Sequence, residues 1–195
     1  MSETVDTAPF FEWGERLPTL QTPRLALRHL RPADAADVFA VFSDPEVMRY
    51  WDHGPMAAPE EASAYISGID DHFRRRELFQ WGSTDRRTDR VVGTCTLWRV
   101  STPHQRGEIG FALGQAHWGH GFGRETVTAL IDFAFDTLQL HRLEADVDPR
   151  NERSLRLLEG LGFRRDGYLR ERYLVGSHRQ DSVLLGLLRP DWYAK

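Results

Sequence analysis

The stretch Trp118-Gly119-His120-Gly121-Phe122-Gly123 stands between an apolar segment of strand character, Arg106 to Leu113, and one of helical periodicity, Arg124 to Leu138. Strand, glycine-rich loop and helix in that order aim unpaired backbone N–H groups and the positive end of a helix dipole at an anion. Glycines suit such a loop because they accept positive φ angles and leave no Cβ between the backbone and a phosphate oxygen. A plain glycine-rich turn is the competing reading. Two common phosphate motifs do not fit. A P-loop requires G-x-x-x-x-G-K-[ST], and the lysine is absent. A dinucleotide fingerprint requires G-x-G-x-x-G, whereas Arg124 stands where its third glycine would fall. Glu144 lies near the separation of a ribose-binding carboxylate, but too few residues follow the loop to complete a doubly wound sheet.

Working outward, the periodicities describe an α/β chain. Before the loop come a strand at Arg24 to Leu30 and a helix at Ala33 to Phe42. Asp44-Pro45 follows as N-cap and first helical residue of a short helix through Tyr50. Pro59 opens a longer helix to about Arg76, with Ala62, Tyr65, Ile66, Ile69 and Phe73 on one stripe. Strands near Leu78 to Ser83 and Val91 to Trp98 read as an antiparallel hairpin. After the loop helix come a strand at Arg142 to Val147, a helix at Glu152 to Leu161 stopped by Gly162, and strands near Tyr168 to Val175 and Ser182 to Leu188. The N-terminal arm carries Phe10, Phe11 and Trp13 without a period, and is expected to dock on the body or on a second subunit.

Bulk properties narrow the function. A length of 195 residues fits one domain, with 41% hydrophobic and 28% charged residues and no apolar run long enough to span a bilayer. The first eighteen residues lack a basic region and an apolar core, so no export signal is expected. Cys95 is the only cysteine, which leaves no intramolecular disulfide, and the expected compartment is the cytoplasm. Its place in the run Val91 to Trp98 suggests a buried small hydrophobe rather than a nucleophile. A net charge of −4 argues against nucleic acid as a partner, despite Arg74-Arg75-Arg76. Lys195 is the only lysine, so 24 of the 25 Lys plus Arg are arginine, and a bias so general carries no functional weight. The eight histidines are scattered, with His117 and His120 the one close pair, and no zinc motif occurs, so no metal is expected.

The loop resembles the pyrophosphate loop of the GNAT superfamily of acyltransferases, Q/R-x-x-G-x-G/A, with Trp118 in the Q/R position. That aromatic resembles the RimJ/RimL branch, the ribosomal-protein N-terminal acetyltransferases and their small-molecule relatives. Further segments resemble the same branch in the same order: residues 22–28 (TPRLALR), 43–51 (SDPEVMRYW), 108–113 (EIGFAL), 151–154 (NERS) and 161–163 (LGF). The resemblance covers residues 22–190, leaving residues 1–21 as an N-terminal arm and 191–195 as a tail. It implies a mixed central sheet with a splayed strand pair, flanked by helices. It also implies an N-acetyltransferase that carries an acetyl group from acetyl-CoA to a primary amine by direct attack in a ternary complex.

Aminolysis of a thioester needs a neutral amine, a polarised carbonyl and a stabilised leaving thiolate, with no metal or nucleophilic side chain. By resemblance, backbone groups of Phe111, Ala112 and Leu113 bind pantetheine, with the Phe111 N–H on the acetyl oxygen. The loop residues Trp118, Gly119, His120, Gly121, Phe122, Gly123 and Arg124 would hold the phosphates. Asn151 resembles the asparagine that bonds the pantetheine arm, and Ser154 the serine near the sulfur. Asn151 also reads as a helix cap, a role compatible with the first. Glu108 is the candidate base, with Asp148, His104 and Tyr168 as replacements; Tyr168 is alternatively the proton donor to the thiolate. A salt bridge to an arginine is the competing role for Glu108.

Tyr50, Trp51 and His53, with Tyr168, would line the acceptor groove by the same resemblance. Peptide N-terminus, amino acid, polyamine and antibiotic amine all stay open as acceptors, as does succinyl in place of acetyl. A membrane partner is not expected, and a homodimer is slightly favoured over a monomer. Two other classes fit the loop: a non-catalytic CoA-binding sensor or interaction module, and a nucleotide-binding oxidoreductase. The first would bind CoA without turnover; the second would bind NAD(P)H in a way CoA does not displace.

Overall fold

A computed structural model describes residues 12–194. Among them, β1 (Leu20–Gln21), β2 (Leu25–His29), β3 (Leu78–Asp85), β4 (Val91–Ser101), β5 (Arg106–Leu113), β6 (Arg142–Val147), β7 (Arg164–Val175) and β8 (His178–Leu188) form one sheet. Its order is β1-β2-β3-β4-β5-β6-β8-β7. Every neighbouring pair is antiparallel except β5 and β6, which run parallel.

That one parallel pair is short. It spans the rungs Arg106↔Arg142, Gly107↔Leu143 and Glu108↔Glu144 and then stops, although both strands continue. β5 stays with β4 as far as Gly93↔Leu113, and β6 stays with β8 as far as Val147↔Val183. The two halves of the sheet therefore part beyond Glu108, and the expected splayed pair lies here. Parallel pairing holds somewhat less strongly per residue than antiparallel pairing, and with three rungs this seam is a weak line in the middle of the sheet.

The helices α1 (Ala35–Phe42), α2 (Pro45–Met48) and α3 (Pro59–Arg74) cover one face. Val38, Phe42, Met48, Ala62, Ile66 and Ile69 pack there together with Ala112 of β5. On the other face lie α4 (Phe122–Asp132) and α5 (Glu152–Gly160), whose Val127, Leu130, Leu155 and Leu158 pack on Cys95, Leu97, Ile109, Leu143 and Val183. A final short helix, α6 (Arg189–Tyr193), ties back through the Trp192 indole N–H, which donates to Asp132 Oδ1 at 2.9 Å. A tail boundary after residue 190 falls inside this helix.

Several elements differ from the expectation. The first helix begins as a 3₁₀ turn, Pro32–Asp34, where buried Asp34 receives two hydrogen bonds from the Arg28 guanidinium at 2.7 and 2.8 Å. The loop helix starts two residues early, at Phe122, and gives way after Asp132 to a π turn, Phe133–Thr137. The wider turn is closed by the Leu138 N–H on the Phe133 carbonyl at 3.1 Å, and it buries Phe133, Ala134 and Phe135 together.

In the arm, Phe10 and Phe11 lie outside the described residues. Trp13 stacks on Phe79 with ring centroids 4.0 Å apart, and Leu17 is buried. The Trp81 indole N–H donates to the Pro18 carbonyl at 2.8 Å, so residues 13–21 pack on the body. No helix among the described residues is long and apolar enough to cross a membrane.

Candidate active site

A cleft of about 960 Å³ opens where β5 and β6 part. Its walls are Phe111 to Leu113 of β5, Trp118, Gly119, Gly121, Gly123 and Arg124 of the loop, the first turns of α5, and Glu46, Val47 and Arg49 to Trp51 around α2. In an antiparallel ladder, residues that exchange both hydrogen bonds alternate with residues that exchange none. The Gly114 N–H donates to the Val92 carbonyl at 2.9 Å, which fixes that alternation along β5. Ala112 thus faces Thr94 with its backbone groups, whereas those of Phe111 and Leu113 point into the gap. Ala112 lines the cleft, with its backbone groups used by the sheet. Leu113 is also partly spent, because the Trp118 indole N–H donates to its carbonyl at 2.7 Å. The Phe111 N–H and carbonyl and the Leu113 N–H are the backbone groups left facing the cleft.

At the mouth of the cleft, Gly119 and Gly121 have φ of 77° and 81°, left-handed values that favour glycine. Gly121 is the N-cap of α4 and has no side chain to satisfy the first N–H groups of that helix. Those of Phe122, Gly123 and Arg124 accordingly project from the helix end without an intrahelical acceptor. A Cβ on Gly119 would meet nothing within 4 Å, so the approach to the backbone there is open. Unpaired donors, a helix dipole and open space are what a diphosphate needs.

The outer side of the loop is clasped from β2's N-terminal end. Arg24 donates through Nη1 to the His120 carbonyl at 2.8 Å and stands 4.5 Å from the Phe122 ring centre. Its Nε donates to Glu125 Oε2 at 2.7 Å, and Glu125 Oε1 accepts from the Arg24 N–H at 2.7 Å and from the Thr22 hydroxyl. The side chains of His120 and Phe122, expected to hold phosphates, therefore do not line the cleft. His120 is exposed and contributes its carbonyl to the clasp, while the Phe122 ring packs between Arg24 and His117.

From α5, Asn151 Oδ1 accepts from the Ser154 N–H at 3.2 Å, the cap the sequence suggests, and both residues line the cleft. The Asn151 amide nitrogen has no bond among the described residues and is free for a second role. Tyr50 and Trp51 line the cleft at its α2 end. His53 does not; it is exposed, with its ring 5.8 Å from that of Trp51.

Glu108 and Tyr168 stand outside the lining. Glu108 occupies the last rung before the strands part, 8% exposed, with Oε2 accepting from Arg99 Nη1 at 3.0 Å. Burial pushes its carboxyl above the ordinary carboxylate range against the pull of Arg99, and Asp146 and Glu144 push the same way. Tyr168 is 53% exposed and its hydroxyl donates to Asp181, which raises its pKa. Of the replacement bases, Asp148 is buried and held by Arg150 through Oδ1 at 2.9 Å and Oδ2 at 2.6 Å. His104 is exposed in the turn before β5, at the strand end remote from the loop.

Sequence reasoning missed the arginines of the cleft, Arg49, Arg150, Arg153 and Arg156. The overall abundance of arginine hid them; the one local signal was that Arg150 and Arg153 flank Asn151 and Ser154.

Comparison with known proteins agrees with this geometry. Residues 24–164 match a family model described as "Acetyltransferase (GNAT) domain". The chain is 36% identical over 174 residues to "uncharacterized N-acetyltransferase p20" of Bacillus licheniformis, which covers 89% of this chain and 98% of that protein. It is 29% identical over 188 residues to the ribosomal protein uS5-alanine N-acetyltransferase of Escherichia coli, covering 89% and 92%. The solved structure of spermidine N-acetyltransferase from Vibrio cholerae, in complex with CoA and spermine, superposes with a TM-score of 0.77 at 22% identity. That match covers 88% of this chain and 98% of the other, and is a likeness of fold.

Proposed function

The chain belongs to the GNAT acetyltransferase family, and from that premise we propose that it acetylates a primary amine by direct attack within a ternary complex of the RimJ/RimL type. The observation that carries this reading is the parting of β5 and β6 beyond Glu108, with a donor-lined glycine loop at the open end. Acetyl-CoA supplies the thioester whose acyl carbon the amine attacks. The loop N–H groups and Arg124 bind the diphosphate, and the Phe111 carbonyl, the Leu113 N–H and the Asn151 amide guide the pantetheine arm. The Phe111 N–H donates to the carbonyl oxygen, where negative charge grows as the amine nitrogen bonds to carbon.

Glu108 takes the proton released by the attacking amine, through water, because its carboxylate lies outside the cleft lining. Its raised pKa suits that work, since a base titrating closer to neutrality is the stronger acceptor. When the carbon–sulfur bond breaks, the Ser154 hydroxyl donates a hydrogen bond to the departing thiolate, and Tyr168, relayed by water, supplies the proton and regains it from solvent. Tyr50 and Trp51 receive the acceptor, a peptide N-terminus or a small-molecule amine, with exposed His53 beside Trp51 at its way in. The chain works in the cytoplasm.

The test is a thiol-release assay with acetyl-CoA against N-terminal peptides, free amino acids, polyamines and aminoglycosides, beside Glu108→Gln. Turnover with one acceptor class, lost in the variant, is expected. Thermal stabilisation by CoA without turnover on any acceptor would favour a non-catalytic CoA sensor instead.

A further inference from the structure

Trp118 stands where the resembling motif carries glutamine or arginine, and an indole brings no charge and one donor. That donor is already given to the Leu113 carbonyl. Directly over the Trp118 ring, 4.4 Å from its centre, lies the guanidinium of Arg153. Arg153 is on the first turn of α5, and the same face of the helix runs along the loop: Leu157, one turn on, approaches within 2.9 Å of where a Gly123 Cβ would be. The neighbouring carboxylate is spent elsewhere, because Glu152 pairs with Arg156 at 2.8 Å. Among the described residues Arg153 forms no ion pair. A guanidinium held over an aromatic face can still donate its N–H groups, and they suit phosphate oxygens.

We infer that Arg153, held on the Trp118 ring, binds the diphosphate of acetyl-CoA from the α5 side and supplies the positive charge that position 118 lacks. The inference rests on the acetyl-CoA reading of the cleft. It makes Trp118 a platform rather than a ligand of the phosphates. The cation that position 118 lacks comes from the helix facing the loop, beside the loop N–H groups and Arg124.

The experiment is calorimetric titration of the wild-type chain, Arg153→Met and Arg153→Lys with CoA and with dephospho-CoA, which keeps the diphosphate and lacks the 3′-phosphate. Arg153→Met is expected to weaken both ligands alike, by about tenfold or more for loss of a charge-assisted contact. Arg153→Lys should fall between wild type and Arg153→Met, because the charge stays while the fork held over Trp118 is lost, and the ligand-free melting temperatures should coincide because the side chain is exposed. The loss should shrink as salt is raised. Equal CoA affinity in wild type and Arg153→Met would overturn the inference, and so would a loss confined to CoA, which would assign Arg153 to the 3′-phosphate. If the wild-type chain binds neither ligand, the acetyl-CoA reading itself fails.

Discussion

Removing the Glu125 carboxylate should loosen the loop from behind. In Glu125→Ala the Arg24 N–H, bonded at 2.7 Å, loses its acceptor, and the Thr22 hydroxyl and Leu25 N–H lose their bonds to the carboxylate and keep only those between residues 22 and 25, at 2.8 Å. The Glu125 side chain is only 12% exposed, so water replaces these bonds incompletely, at a cost of about 2–3 kcal/mol for hydrogen bonds to a charged group. The ion pair with Arg24 adds at most about 1 kcal/mol, since that side chain is 49% exposed. For a chain of this size the total lowers the melting temperature by about 5–10 °C. Arg24→Ala, which keeps the backbone bonds, should cost at most about 1 kcal/mol in stability. It leaves the Glu125 charge uncompensated beside the diphosphate site, and so should raise the KM for acetyl-CoA more than it lowers kcat. Thermal unfolding by circular dichroism, paired with steady-state kinetics, reads both quantities. A Glu125→Ala melting temperature within 1 °C of wild type would refute the clasp, as would an unchanged KM in Arg24→Ala.

Three further outcomes follow from the site. Gly121→Ala places a Cβ in a left-handed conformation, φ 81°, and 3.3 Å from Arg24 Nη2, so it should cost about 1–2 kcal/mol and weaken acetyl-CoA binding in a calorimetric titration. The Cys95 thiol, fully buried and pushed up in pKa by burial, should react with a thiol reagent only after denaturant is added; labelling of the native chain at the rate of a free thiol would contradict its place in the core. For Glu108 the folded-state pKa is raised, so the base form is lost as pH falls through a value above the ordinary carboxylate range. The acidic limb of kcat/KM should lie there and vanish in Glu108→Gln, and an identical limb in the variant would assign it to another group.

Much of this was legible in the chain. The 3.6-residue and two-residue periods located the principal helices and strands because each buries one face on a common core. The glycine loop between strand and helix was legible in Trp118 to Gly123, because the left-handed backbone at Gly119 and Gly121 leaves glycine few substitutes. What escaped depended on contacts between distant segments. β1 is two residues long and exists through its pairing with Leu27 and Ala26. Trp13 has no periodic neighbours, and its place is set by Phe79, 66 positions later. The clasp joins residues a hundred positions apart, and the perch of Arg153 on Trp118 crosses 35. Which backbone groups of residues 111–113 face the cleft depends on the register with β4, which no local pattern encodes.

The central claim is that the parted strands and the glycine loop together hold acetyl-CoA. Amide hydrogen exchange with and without the thioester addresses it residue by residue. Slowed exchange at Phe111, Leu113 and residues 119–124, with the first turn of α5 following, is the expected result. Saturating acetyl-CoA that leaves these amides unchanged while protecting another surface would contradict the account.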